Sequence, residues 1–327
     1  MASVQARIRQ VAHRRLRRSA TRDGLACAAH RLRKVHWQIV IQASVRNDPE
    51  FDTPGATRGL LDVVRHRYLL SLLLKKGIRT RYYGSTLGWI WSYVRPAAQF
   101  LMYYLVIGVI MGANRGIDYF PIYLFSGIVA VNLFSEALRN TTSAITDNGS
   151  LIKKIYLPRE LFPVAALGVA LVHFLPQAVL LLLVALLNGW TIGWLALAGF
   201  AGGVLLILGF ALGLGLFFGA INVAYRDAKN VVDLILMFAT WASPVLYSWQ
   251  MVHDRAPSWL YHLYMANPMT TAVELFHDAF WLPLAPDTPR PPDLLMNVGI
   301  GAGLVLVTLL IGQLVFRRRE VTFAQYL

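Results

Sequence analysis

Apolar residues in this chain gather into runs of about 20 instead of recurring every three or four positions, as they would on one face of a soluble-core helix. Windows of roughly 19 residues place spans near 97–114, 121–146, 162–187, 194–221, 231–249 and 294–316. Six crossings would leave both ends on one side. Ahead of the first run, Leu61, Val64, Tyr68 and Leu72 follow helical spacing, while Asp62, Arg65, His66, Lys75 and Lys76 supply a wet side. That pattern predicts a helix lying in the membrane interface, with a cytosolic core helix as the alternative. Between the fifth and sixth runs lie about 45 residues broken by Pro257, Pro268 and Pro283. A helix from Thr270 to Phe280 would reach about 16 Å at 1.5 Å per residue, too short to cross about 30 Å of hydrocarbon. Re-entrant or interfacial helices at the outer mouth are expected there, with their backbone groups satisfied by protein or water. The chain thus divides into a basic tail (1–56), an interface helix with the lead-in to the first span (57–95), and an all-α, six-helix membrane domain (96–327).

Composition agrees: of 327 residues 56% are hydrophobic, with a mean hydropathy of +0.50. Charge then sets the orientation, because Lys and Arg near span ends are retained on the cytoplasmic face. Of 31 such residues, 19 precede the first span. Others sit at Lys153, Lys154 and Arg159, at Arg226 and Lys229, and at Arg317 to Arg319, whereas the opposite loops hold Arg115, Arg255 and Arg290. Both termini are therefore expected in the cytoplasm. This asymmetry and contact with anionic lipid headgroups explain most of the +14 net charge, so no nucleic-acid partner is expected. The single Cys27 excludes an intrachain disulfide framework and a cysteine metal cluster. Residues 1–46 carry 11 Lys+Arg against Asp23 alone, without an apolar run fit for a signal peptide; they read as a flexible cytoplasmic tail, a transit peptide being the alternative. Arginine outnumbers lysine 25 to 6, which hints at a GC-rich bacterial genome.

Polar residues inside the runs are few. The second carries Asn132, Glu136, Arg139 and Thr141; Glu136 and Arg139, three apart, can neutralise one another, as a structural pair or in the lining of a polar conduit. The third holds His173 and Pro176, read as a satisfied histidine beside a kink, with a proton relay as the alternative. Seven glycines from Gly199 to Gly219 suit the fourth to close helix contact. Catalytic patterns are missing. No GxxxxGK[ST] occurs and none of the six lysines follows a glycine, so the chain has no phosphate-cradling loop. HExxH, GxSxG and a DxD pair are also absent, and no catalytic or metal-ligating residue is assigned. No internal repeat is visible, which counts against the repeat-built secondary transporters.

What remains is two cytoplasmic hairpins. In SLIKKIYLPRE, Ser150 or Asn148 can cap, Leu151, Ile152 and Ile155 form an apolar edge, Lys153 and Lys154 face water, and Pro158 ends the helix. The second, NVAYRDAKNVVD, is shorter and mixed in charge. Such a short helix could seat in a groove of a soluble partner and carry its motion into the attached spans; a plain loop with retained lysines is the other reading.

Several stretches together resemble the ABC-2 class of transporter permeases, specifically the polysaccharide and polyol-phosphate exporters: RYYGSTLGWIWSYVRPAAQF before the first span, NGSLIKKIYLPRELFP after the second, NVAYRDAKNVVDLILMFATWASPVLYS leading through the fifth, and ANPMTTAVELF beyond it. They cover about residues 60–327 in family order. His277 stands where the family commonly has arginine, and Asp233 where its fifth span is usually uncharged. The resemblance implies a homodimer in the bacterial inner membrane, served by a separate ATPase subunit that holds ATP and magnesium, this chain binding no cofactor. It implies a coupling helix made of Ser150, Leu151, Ile152, Lys153, Lys154, Ile155, Tyr156 and Leu157, a second contact at Arg226 and Asp227, and an interface helix braced against the ATPase. It implies a lipid-linked glycan as substrate, of O-antigen, teichoic acid, capsule or galactan type. Aromatic faces would give such a chain shallow contact along a conduit, from Trp89, Trp91, Tyr93, Phe100, Tyr103, Tyr104 and Trp241. Pro268, Glu274 and His277 would belong to the outer gate. A membrane glycosyl- or acyltransferase and an ABC-2 permease for drugs or lipids are the competing functions.

Overall fold

The computed structural model describes residues 59–81, 84, 88–154 and 157–327; the tail 1–56, residues 57, 58, 82, 83 and 85–87, Ile155 and Tyr156, and the side chains of Leu61, Asp62, Val64, Arg81, Trp89, Ala324 and Gln325 lie outside that description. The described secondary structure is helical throughout. Five helices are long and apolar enough to cross a membrane. They are α3 (Trp91–Tyr103, continued as a π-helix over Tyr104–Ile110), α4 (Phe120–Asp147), α6 (Leu161–Leu187), α7 (Trp194–Ala224) and α12 (Leu294–Glu320). Before them come α1 (Leu60–Arg65) and α2 (Arg67–Arg81), and the short α5 (Gly149–Ile152) joins α4 to α6. Between α7 and α12 run α8 (Ala228–Ala239), α9 (Trp249–Arg255), α10 (Ser258–Ala266) and α11 (Pro268–Phe280); α13 (Phe323–Tyr326) follows α12.

Helix α4 is the axis of the domain, with 78% of its most apolar window buried against 11–44% in the other four. Its neighbour α7 is held by glycines. A Cβ at Gly213 would lie 2.7 Å from the Leu309 backbone nitrogen of α12, one at Gly312 would run into the Gly213 carbonyl, and one at Gly215 would strike Thr141 of α4. Without a hydrophobic drive between helices in lipid, such backbone approach is what lets dispersion contacts hold the bundle.

The fifth apolar run departs from expectation. Only Ala228–Ala239 is helical, about 18 Å; a few residues on, Pro244 has no N–H to continue a helical ladder and disfavours helical angles at the residue before it. The segment nevertheless travels the length of α4. Lys229 lies 3.8 Å from Asp147, Asp233 2.8 Å from Arg139, and the Tyr123 hydroxyl donates to the carbonyls of Pro244 and Tyr247, each at 2.8 Å. From Asp147 to Tyr123 is about 36 Å of helix. The irregular stretch survives at this depth because side chains satisfy it: Thr270 and Asn267 donate to the Ala242 carbonyl and the Tyr247 hydroxyl to that of Trp241.

Beyond it, α10 and α11 are two short helices where re-entrant or interfacial ones are expected. Asn267 caps α11 by accepting from the Met269 amide, Pro268 occupies the first turn, and 12 of the 13 residues of α11 are buried. A Cβ at Gly203 of α7 would come within 2.9 Å of the Phe276 ring, so α11 reaches well below the end of that helix. Indole N–H groups pin it there, Trp281 donating to the Asp118 carbonyl and Trp190 to that of Ala279.

Along α2 the apolar positions Tyr68 and Leu72 are exposed, as a lipid-facing stripe would be, while Leu74 and Gly77 meet α6. An interface helix has apolar surroundings on two sides, protein and lipid, so spacing alone does not say which stripe faces which. The first span starts at Trp91, six residues earlier than expected, and ends where Gly112 takes φ +80°, a left-handed angle that glycine adopts without strain.

Candidate functional site

Along one face of α4, polar residues recur every three or four positions: Asn132, Ser135, Glu136, Arg139, Asn140, Ser143 and Asp147. They form a track about 22 Å long, from mid-helix to the end that carries the 149–160 hairpin. Three adjoining cavities follow it. The largest, about 630 Å³, lies between α3, α4 and α6; a second, about 430 Å³, lies beside α2; a third, about 320 Å³, lies beside α8. Asn140 lines the first and second, Arg139 the first and third, and Ser143 the second and third. Polar groups within an apolar span are costly unless they face one another or water, and here several pair with one another.

The expected pairing of Glu136 with Arg139 gives way to pairs between helices. Glu136 meets Nδ1 of His173 on α6 at 2.6 Å, and one turn away the Asn132 amide donates to Gln177 at 3.3 Å. His173 and Gln177 are four apart, as are Asn132 and Glu136, so α4 and α6 face each other through two polar rungs. The Arg139 guanidinium donates to Asp233 of α8 at 2.8 Å, which gives that acid a counter-ion. Ser135, Asn140, Ser143, Gln177 and Arg95 were not singled out from the sequence; the three-and-four spacing of α4's polar residues was the available signal.

Trp91 joins Glu136 and Arg139 at the largest cavity. The Trp89 side chain lies outside the described residues, and the other expected aromatics are scattered. Phe100, Tyr103 and Tyr104 pack against the core, where Phe100 stacks on Tyr104 with ring centres 5.8 Å apart, while Tyr93 and Trp241 are exposed away from it.

At the hairpin end, Lys153 and Lys154 are exposed, as are Ser150, Arg226 and Asp227. Leu151, Ile152 and Leu157 pack into a cluster containing Phe162, Phe316 and Phe323. The expected helix of eight residues is one turn, Gly149–Ile152. Its cap also differs. The Asn148 side chain donates to the Ala144 carbonyl and accepts from Lys76 of α2 at 2.8 Å, so it ties α2 to the hairpin. The Lys229–Asp147 pair brings the second hairpin against the first.

At the opposite end Pro268, Glu274 and His277 are buried in α11. The His277 ring stacks on Tyr123 at 3.9 Å, its Nε2 donates to the Tyr123 carbonyl at 3.1 Å, and its Nδ1 lies 3.9 Å from Glu274. Burial raises the Tyr264 hydroxyl far above the ordinary tyrosine range, and burial together with Glu274 raises that of Tyr261, so both stay protonated.

The sequence pattern of the ABC-2 type transporter family matches residues 68–281. The chain belongs to that family. It is similar to the O-antigen export system permease protein RfbA of Myxococcus xanthus, 29% identical over 264 residues that cover 81% of this chain and 97% of the relative. It is also similar to the polysialic acid transport protein KpsM of Escherichia coli, 25% identical over 255 residues, 76% of this chain and 92% of the relative. An RfbA of Klebsiella pneumoniae matches at 25% identity over 217 residues, 65% of this chain and 80% of the relative. This ABC-2 protein is thus a multi-pass membrane protein, and its polar track belongs to a transporter.

Proposed function

We propose that the chain is the permease of an ATP-driven exporter that moves a lipid-linked polysaccharide across the bacterial inner membrane, both termini lying in the cytoplasm. The observation that carries this reading is the likeness to an O-antigen export permease and a polysialic acid transport protein along almost their full lengths. The polar track supports it, since a path for hydroxyl-rich cargo must replace lost water contacts at membrane depth. The basic residues at the hairpin end support the orientation. Lacking a phosphate-binding loop, the chain would borrow its energy from a separate ATPase subunit that holds ATP and magnesium. That subunit would push on residues 150–157 and on Arg226 and Asp227. Because Asn148 binds Lys76, the push would reach α2 and α4 together. A second copy would close the side of the track that α8 leaves open, where Leu234, Met237 and Phe238 are exposed.

Depleting the protein and analysing the inner leaflet tests this. A lipid-linked glycan is expected to accumulate on the cytoplasmic side. Accumulation of a drug or a simple lipid in its place, or of an unfinished glycan precursor, would instead point to another cargo or to a transferase.

A further inference from the structure

The cavity beside Glu136 has the chemistry of a site that reads alcohol groups. A sugar hydroxyl both donates and accepts, and so does a side-chain amide. Four amides line this cavity, from Gln99, Asn132, Asn140 and Gln177, together with the Glu136 carboxyl group. The rung between Asn132 and Gln177 uses one donor and one acceptor. It leaves the Asn132 carbonyl oxygen and the Gln177 amino group for a ligand, one of each kind. A phosphate only accepts, so it could use the amide donors but would leave the amide oxygens unmatched and would face the Glu136 carboxyl group. Arg95 and Arg139 add donors, and Arg139 is already engaged by Asp233. Trp91, at the cavity's edge and 43% exposed, offers the aromatic face on which the C–H side of a sugar ring rests. At about 630 Å³ the space falls within the roughly 300–1,000 Å³ of small-molecule sites, enough for a short run of linked sugars.

We infer that this cavity is a recognition site for a short neutral sugar segment of the exported glycan, with Trp91 as platform and Asn132, Gln177, Asn140 and Glu136 reading hydroxyl positions. It rests on the exporter role proposed above and adds selectivity to it. Exposed aromatic rings accept any sugar face, whereas paired amides at fixed positions reject a sugar whose hydroxyls point elsewhere, because buried polar groups are then left unmatched.

The probe is the glycan released by mild acid from the lipid-linked pool that accumulates on depletion, with its binding to the purified permease–ATPase complex measured by calorimetry. Asn132→Leu combined with Gln177→Met keeps the shape of the wall and removes its donors and acceptors; Trp91→Ala, at an exposed edge, is the variant least able to disturb folding. Each is expected to weaken binding about tenfold or more, the equivalent of losing one or two hydrogen bonds. Sodium pyrophosphate is expected not to compete. Equal binding by both variants, no binding by the unaltered complex, or displacement by pyrophosphate overturns the site while leaving the exporter role standing. If no lipid-linked glycan accumulates in the first place, the exporter role fails, and the site with it.

Discussion

Replacing both Lys153 and Lys154 by Glu lowers glycan export about tenfold or more while the ATPase subunit stays bound. Both side chains are exposed, so the fold loses no packing, and the turn that carries them is anchored by Leu151, Ile152 and Leu157 in the cluster around Phe316 and Phe323. Orientation also survives, since 19 Lys+Arg precede the first span and Arg317 to Arg319 hold the far end. What changes is the charge presented to the neighbouring subunit, and a tenfold loss of coupling corresponds to only about 1.4 kcal/mol. Export by intact cells, with pull-down of the ATPase and a protease-accessibility check of topology, separates the outcomes. Undiminished export with the ATPase bound would show that the hairpin is a plain loop whose lysines serve only to orient it.

Gly312→Leu is expected to damage the fold itself. The first added carbon meets the Gly213 carbonyl, and a backbone atom in a packed helix cannot swing aside as a side-chain tip can. Overpacking of this kind costs about 3 kcal/mol at the upper end of the usual range, which lowers Tm by roughly 6–12 °C for a domain of this size. Gly299→Leu on the same helix is the control, since nothing lies within 4 Å of its added carbon. Thermal unfolding in detergent compares them. Equal Tm values would mean that α7 and α12 do not approach as closely as described.

Much of this architecture was legible because lipid imposes a simple rule: a backbone without water must be helical, so a run of about 20 apolar residues is nearly sufficient to name a span. The short helices α10 and α11 were legible for the converse reason, since Pro257 and Pro268 cut their apolar pieces too short to cross. The rule fails where side chains replace water. Pro244 within the fifth run was a local signal for the helix to stop, but Tyr123, Asn267 and Thr270, which satisfy the carbonyls around it, lie 28 residues or more from Ala242 or Pro244 in all but one case, so no window on that run could reveal how its irregular backbone would be satisfied. Partner choice failed similarly. Spacing within α4 offered Glu136 to Arg139, but His173 and Asp233, 37 and 94 residues distant, took them. The polar track itself was visible as a three-and-four pattern, whereas its aromatic neighbour could not be chosen from seven candidates until α3 was placed beside α4.

Reconstitution tests the central claim most directly. Purified permease is placed in liposomes with a lipid-linked glycan on the outer leaflet, alone or with its ATPase, and movement of the glycan across the bilayer is followed with and without ATP and magnesium. The account predicts movement only when ATPase and nucleotide are both present. Movement of the glycan, or its chemical conversion, by the isolated chain would contradict it.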